Sequence, residues 1–327
     1  MIEKGRKSHI FITGATGFVG SSLIKELLTQ NYHTSVAVRD NTSVVPFGVT
    51  KFNVGNLTAD IDWLSMLNGI DVIIHAAARV HIMDELVDDP LAEFRKVNVY
   101  ATLNLAKQAA KAGAKRFIFI SSVKVNGEMT SRNHSFKPDD NYIPIDPYGL
   151  SKYEAEQGLL ALAKETGMEM VIIRPPLVYG PDVRANFVSM MKWISKKIPL
   201  PFGAIHNQRS LIALDNLVSF IIQCIEHPKA ANEIFLISDG EDVSTTALLQ
   251  KVSKALGGKS WLIPVPVRWM SFSAKLIGKE DVANRLFGSL QVDSSKARYL
   301  LGWKPVITMD EQLKKTADAY LENEKNL

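Results

Sequence analysis

The chain has 327 residues, 46% of them hydrophobic, and 38 Lys and Arg against 34 Asp and Glu give a formal charge of +4. That length allows one large core, or a core with a smaller lobe beside it, and so modest a charge, with no long run of one sign, demands neither nucleic acid nor an anionic membrane as partner. The single cysteine, Cys224, excludes an internal disulfide framework, and no apolar run approaches the roughly 18 residues that span a bilayer.

In chain order, Met1 to Ser8 is basic but passes straight into a strand, without the apolar stretch and cleavage site of a secretion signal, so a cytoplasmic location is expected. Short apolar runs then alternate with helical patterns: strand 9–13, helix 18–30, strand 34–38, helix 60–67, strand 71–75, helix 90–112 and strand 117–121. A long helix from about 147 to 166 and an apolar strand 170–173, stopped by Arg174-Pro175-Pro176, continue the series. This alternation predicts an α/β fold, a doubly wound parallel sheet with helices on both faces. Segments 180–201 and 245–327 are richer in isolated helices and proline, which suits a smaller lobe over the carboxyl edge of the sheet. Between them, 217–225 reads as a helix that buries Cys224, and 232–237 as one more strand, so the two parts interleave. The five tryptophans are dispersed and read as packing residues. His75, His81 and His134 have no metal-site spacing, and no metal is expected.

The first motif follows the first strand directly: Thr13-Gly14-Ala15-Thr16-Gly17-Phe18-Val19-Gly20. A glycine turn that opens a helix lets backbone approach a pyrophosphate and places it at the positive helix end. The expected cofactor residues here are Gly14, Thr16, Gly17, Phe18, Val19 and Gly20, and the expected division is 1–180 for dinucleotide binding, with returning segments about 205–240, and 181–327 for the substrate. The second strand ends Val38-Arg39-Asp40. A guanidinium in the place of the usual ribose-binding acid favours a 2′-phosphate, so Arg39 leans the cofactor to NADP over NAD, while Asp40 on the ribose is the competing reading.

Tyr148 and Lys152 stand four apart in a helical pattern, so they share a face. An ammonium beside a phenol favours phenolate, which suits proton transfer. Strand 117–121 brings Ser122 to the same sheet edge, where its hydroxyl can hold the substrate oxygen that Tyr148 serves.

These motifs, with Val72-Ile73-Ile74-His75-Ala76-Ala77, Asn98, Arg174-Pro175-Pro176-Leu177-Val178-Tyr179-Gly180-Pro181 and the late Leu301-Gly302-Trp303-Lys304-Pro305, occur in the order found in the extended short-chain dehydrogenases, which the chain resembles over almost its whole length. The resemblance implies a Rossmann-like fold and a nucleotide-sugar substrate, with Tyr148 as general acid/base, Lys152 as its partner and ribose ligand, and Ser122 positioning substrate. It also implies that Asn56 and Leu57, Ala76 and Ala77, Asn98 and Pro175 border the cofactor. Asn56 stands where the family usually has an aspartate. Val80, Lys124, Asn186, Leu200, Phe202, Arg209 and Arg285 are the implied substrate residues, with Arg209 on the pyrophosphate. An ion pair between Arg209 and Asp215 is the competing reading.

Dehydratases of this group carry an Asp-Glu pair where this chain has Val123 and Lys124, and oxidation of a hydroxymethyl to a carboxylate would call for a nucleophilic cysteine, whereas Cys224 lies on an apolar helix far along the chain. Reduction of a UDP-4-keto-6-deoxy-N-acetylhexosamine at C4, for surface polysaccharide, is the first expectation. A UDP-sugar 4-epimerase with tightly bound NAD is the alternative, a non-catalytic dinucleotide sensor the second, and the dihydroflavonol-reductase branch a further enzyme option. The resemblance also implies a homodimer built on helices 90–112 and 148–166.

Overall fold

The computed structural model describes residues 7–80, 88–131, 134–184 and 186–325; His81 lies outside them, and Asn186 and Asp281 are described by backbone alone. The first half lays down strand β1 (His9–Thr13), helix α1 (Phe18–Thr29), β2 (His33–Val38), β3 (Thr50–Asn53) and β4 (Val72–His75). A broken helix follows, α2 (Pro90–Arg95) and α3 (Thr102–Lys111), joined by a π-helical turn over Lys96–Ala101, and then β5 (Arg116–Ile120), α4 (Pro147–Thr166) and β6 (Glu169–Arg174). Next come β7 (Leu177–Tyr179), α5 (Asn186–Ser195), β8 (Arg209–Ala213), α6 (Leu214–Glu226), β9 (Glu233–Leu236) and β10 (Asp242–Val243). Helices α7 (Thr245–Ala255), α8 (Val267–Leu276), α9 (Glu280–Phe287), α10 (Ser295–Leu301) and α11 (Met309–Lys325) complete the chain.

Seven strands form one parallel sheet in the order β3-β2-β1-β4-β5-β6-β9. Successive side chains of a strand point to opposite faces, and the core divides accordingly. Ile10 and Ile12 join Leu23, Ile24, Leu217 and Ile221 on the α1/α6 side, whereas Phe11 joins Leu105, Ala109 and Leu159 on the α3/α4 side. Burial on both faces is why these strands read as unbroken apolar runs. A second sheet, β10-β8-β7, and a cluster including Phe187, Met191, Leu248 and Leu313 make the C-terminal lobe. The strand order reverses between β1 and β4, and the crevice above their carboxyl ends is where such sheets bind ligands.

The helix caps are written in the sequence. Asp89 accepts from the Ala92 N–H ahead of Pro90, Asp146 accepts from the Gly149 N–H ahead of Pro147, and Gly167, at φ +75°, ends α4. One expectation fails, and one strand was unforeseen. Residues 60–67 are a series of turns, because Trp63 is fully buried and the segment is tied by side chains of α3: Asn104 and Gln108 donate to the Ile61 carbonyl, each at 2.8 Å, and Gln108 accepts from the Trp63 N–H at 2.7 Å. The edge strand β3 was not expected, since it is mostly exposed and lacks an apolar alternation.

Candidate active site

The glycine loop is shaped by close approach. Gly14 has φ +78°, and a Cβ there would lie 2.6 Å from the Ala77 nitrogen, so only glycine lets Ala76 and Ala77 close on the loop. Ala76 N–H donates to the Thr13 carbonyl at 3.1 Å, fixing that closure. A Cβ on Gly20 would fall 2.1 Å from the Gly14 oxygen, so α1 lies directly against the turn. Gly17 caps α1 without a side-chain hydrogen bond, and the first turn holds no acidic residue. The opening N–H groups of Phe18, Val19 and Gly20, with the positive helix end and exposed Thr16 beside them, therefore fit a pyrophosphate.

Arg39 is exposed and directly follows β2. The Asp40 carboxylate instead closes its own turn, accepting from the Thr42 N–H at 3.0 Å and from the hydroxyls of Thr42 and Ser43, bonds that hold it below the usual carboxylate range. Asn56 is exposed and Leu57 half-buried just past β3, on the same side of the switch point. Pro175 is buried at the end of β6, and its carbonyl accepts from the Val123 N–H at 3.0 Å, tying the turn after β5 to the neighbouring strand.

The three residues expected to be catalytic, Ser122, Tyr148 and Lys152, lie on the turn after β5 and the first two turns of α4. β5 and its turn bring Ser122 to the side of the Tyr148 phenol, where its hydroxyl also accepts from the Lys124 N–H and caps the short 3-10 turn Val123–Val125. Tyr148 stands in the first turn of α4, edge-on to Phe94 with ring centroids 5.8 Å apart. One turn on, Lys152 is buried, donates to the Ile120 carbonyl at 2.7 Å and lies over the Phe119 ring at 4.0 Å. Burial pushes the phenol up to about 12, assisted by the Asp146 carboxylate and opposed by the Ser122 hydrogen bond. The sequence reading expected Lys152 to draw the phenol down. Burial takes Lys152 itself down to about 7, opposed by Glu156, and its ammonium turns to a backbone carbonyl.

Asn98 is buried in the π-helical turn, where its amide donates to the Arg79 carbonyl and the Ser151 hydroxyl, each at 3.0 Å, and accepts from the Arg79 N–H at 2.8 Å. It thus links the chain after β4 to α4 beside Lys152. His75 is locked between the hydroxyls of Thr13 (2.6 Å) and Thr102 (2.8 Å) and stacks on Phe119; burial and the Lys152 charge drive it down to about 3, so it is a neutral structural group.

Sequence reasoning missed the charged pair behind the trio. Glu156, fully buried one turn after Lys152, receives Arg174 Nε at 3.0 Å and Nη2 at 2.6 Å, and accepts from the Ser121 hydroxyl. Arg174 Nη1 also donates to Asn126 Oδ1 at 2.9 Å. The available signal was the spacing 148, 152, 156 on one helix face, together with a lone arginine ending an apolar strand.

The proposed substrate residues are less uniform. Lys124 pairs with Asp146 at 3.1 Å and Glu128 at 3.0 Å, close to the start of α4. Val80 is exposed. Asn186 begins α5, and its side chain lies outside the described residues. Leu200 packs into the lobe core, while Phe202 is half-buried against it. Arg209 donates to the carbonyls of Arg285 (2.9 Å) and Gly288 (3.1 Å), and burial lowers its pKa. It is not paired with Asp215, which binds Lys315 at 2.8 Å. The side chain of Arg285 is exposed. Cys224 is buried, which pushes its thiol up and leaves it inert.

Residues 10–238 match the NAD dependent epimerase/dehydratase family. Among curated proteins, the chain is 50% identical over 322 residues to a UDP-glucose 4-epimerase of Vibrio cholerae, covering 98% of both. Among solved structures, it is similar to UDP-glucuronic acid 4-epimerase from Bacillus cereus in complex with NAD, with TM-score 0.77 and 21% identity, covering 96% of this chain and 99% of the other. It is also similar to UDP-glucose 4-epimerase from Thermotoga maritima with UDP-glucose, with TM-score 0.74 and 22% identity, covering 97% and 99%.

Proposed function

This chain belongs to the NAD-dependent epimerase/dehydratase family, and on that premise we propose that it interconverts a UDP-hexose and its C4 epimer through a transient ketone, keeping its dinucleotide bound throughout. It is an enzyme, which sets aside the non-catalytic sensor. The observation that carries the choice of reaction is the likeness, at 50% identity over 98% of both chains, to a UDP-glucose 4-epimerase. The 4-ketoreductase placed first on motifs uses the same three residues, so the trio does not separate the two reactions. The Thermotoga maritima neighbour with UDP-glucose supports a uridine nucleotide.

A nicotinamide dinucleotide held by the glycine loop supplies a hydride acceptor, and then a donor, at C4. The chain's own residues handle the proton. Ser122 holds the C4 oxygen beside the phenol, Tyr148 removes the hydroxyl proton as the carbon is oxidised, and Tyr148 returns it to the same oxygen once the ketone has presented its other face. At a pKa of about 12 the phenol is a proton donor at neutral pH, which suits the return step. For the removal step a positive charge must favour the phenolate, and Lys152, one helical turn away, carries it only while protonated. Glu156, one turn further on, favours that charge, and the Ile120 carbonyl accepts from the ammonium.

A second reading, NADPH-dependent reduction of a 4-keto sugar nucleotide, is favoured by Arg39 standing first after β2 while Asp40 closes its own turn. Denaturing protein dialysed without added cofactor and assaying the released nicotinamide tests the choice. The epimerase reading expects NAD close to one per chain; an empty protein that consumes NADPH would support the reductase. Arg39→Ala then discriminates the cofactor: if the guanidinium grips a 2′-phosphate, NADPH affinity falls about tenfold and NADH affinity hardly moves, whereas equal effects assign NAD.

The proposal also places the enzyme in the cytoplasm as a homodimer joined through α2, α3 and α4. Among the described residues no helix is long and apolar enough to cross a membrane.

A further inference from the structure

The tryptophans were expected to be packing residues, and Trp63 and Trp303 are buried. The other three, Trp193, Trp261 and Trp269, are 42%, 64% and 73% exposed, and all belong to the C-terminal lobe. They sit on adjoining segments. The Leu200 N–H donates to the Trp261 carbonyl at 2.9 Å, and the Ile263 N–H to the Leu200 carbonyl at 2.8 Å, which lays the chain after α5 beside the chain leading into α8.

Helix α8 turns its apolar side outward. Val267, Met270, Ser271 and Ala274 are half-buried against the protein, while Trp269, Phe272 and Leu276, which share the opposite face at helical spacing, are 73%, 65% and 72% exposed. Ile277, just past the helix end, is exposed as well. An exposed apolar helix face needs an occupant.

Charge indicates which occupant. Residues 183–214 and 243–279 contain no Asp or Glu at all, although the whole chain is nearly balanced. Lys196, Lys197, Lys259, Arg268, Lys275 and Lys279 are exposed on these segments, and no described carboxylate forms an ion pair with any of them. On α8 the spacing sets Arg268 and Lys275 along one margin of the apolar face. A partner protein or a second copy would bring carboxylates to a few fixed places, whereas unpaired basic residues spread over the same acid-free segments as exposed tryptophan, phenylalanine and leucine match an anionic bilayer, with rings at headgroup level and ammonium groups on lipid phosphates.

We propose that the α8 face, with the adjoining Trp261 and the acid-free segments around it, docks the substrate lobe on an anionic lipid surface, without insertion across it. The modest overall charge hid this at the sequence level, because the excess is local to one lobe. The inference is independent of which C4 reaction the enzyme performs.

The test sediments the full chain with phosphatidylethanolamine vesicles containing phosphatidylglycerol, and in parallel with phosphatidylcholine vesicles. The chain is expected to pellet with the anionic vesicles, to bind the neutral ones roughly tenfold more weakly, and to release as salt rises. Replacing Trp269, Phe272 and Leu276 together by serine should reduce binding at least about tenfold with the circular dichroism spectrum and turnover unchanged. Lys275→Glu with Lys279→Glu should reduce the anionic preference by roughly fivefold per site. A native chain that stays in the supernatant with anionic vesicles at low salt overturns the proposal, as does a triple variant that pellets like the native chain. Light scattering that shows native self-association abolished by the triple variant would assign the face to a second copy and equally overturn it.

Discussion

At the scale of single residues, the site depends on how a buried ammonium keeps its charge. Lys152 has one backbone carbonyl, one aromatic face and, a turn further on, the Glu156 carboxylate to offset burial. Glu156 is itself neutralised by Arg174, so removing its charge acts twice: Lys152 loses a favourable field, and Arg174 is left buried without its partner. Glu156→Gln should therefore move the alkaline limb of the kcat profile to lower pH, since Lys152 then gives up its proton earlier, and should cost about 3 kcal/mol in urea denaturation. A variant with lowered stability and an unmoved pH limb would make Glu156 purely structural. The placement of Tyr148, Lys152 and Ser122 was legible, because a four-residue spacing sets two of them on one face of α4 and the end of β5 positions the third. The backbone contacts of Arg209 were not legible, since nothing in its local sequence reveals that its guanidinium binds the carbonyls of α9 and the residue after it.

At the scale of elements, two short deviations from regularity build the site. The π-helical turn over Lys96–Ala101 swings Asn98 to the chain after β4 and to α4 at once, as π-helical turns often do at functional positions. A sequence reading merges it into one helix, because the apolar pattern continues through it. The glycine turn is the other deviation, and its contacts make a sharp prediction. Gly20→Ala puts a methyl 2.1 Å from the Gly14 oxygen, so α1 must move off the loop; dinucleotide affinity measured by titration should fall at least about tenfold. Gly113→Ala meets nothing within 4 Å and, at φ +87°, should lower stability while leaving that affinity alone. Equal affinity losses in the two variants would mean that close packing at Gly20 does not set the binding site. Strands β1, β4, β5 and β6 were legible as apolar runs buried on both faces, whereas 60–67 was misread because its backbone is satisfied by distant side chains of α3, which no local pattern records.

At the scale of the whole molecule, the parallel sheet gathers residues far apart in sequence at one carboxyl edge. Gly14, Ala76, Ser122 and Pro175 follow β1, β4, β5 and β6 in turn, and α4 lays Tyr148 and Lys152 across them. The second sheet was not legible in the sequence, because β7, β8 and β10 are short and close only through contacts distant in sequence. On the proposed epimerase reading, this edge oxidises and re-reduces one carbon of a bound sugar with no net use of nicotinamide. Incubating the purified enzyme with UDP-galactose, without added reductant, and separating the nucleotide sugars by chromatography tests it most directly. The expected result is UDP-glucose formed to equilibrium with no net change in nicotinamide absorbance, and no product from Tyr148→Phe. Unchanged UDP-hexose with the native enzyme, alongside NADPH-dependent reduction of a 4-keto sugar nucleotide, would contradict it.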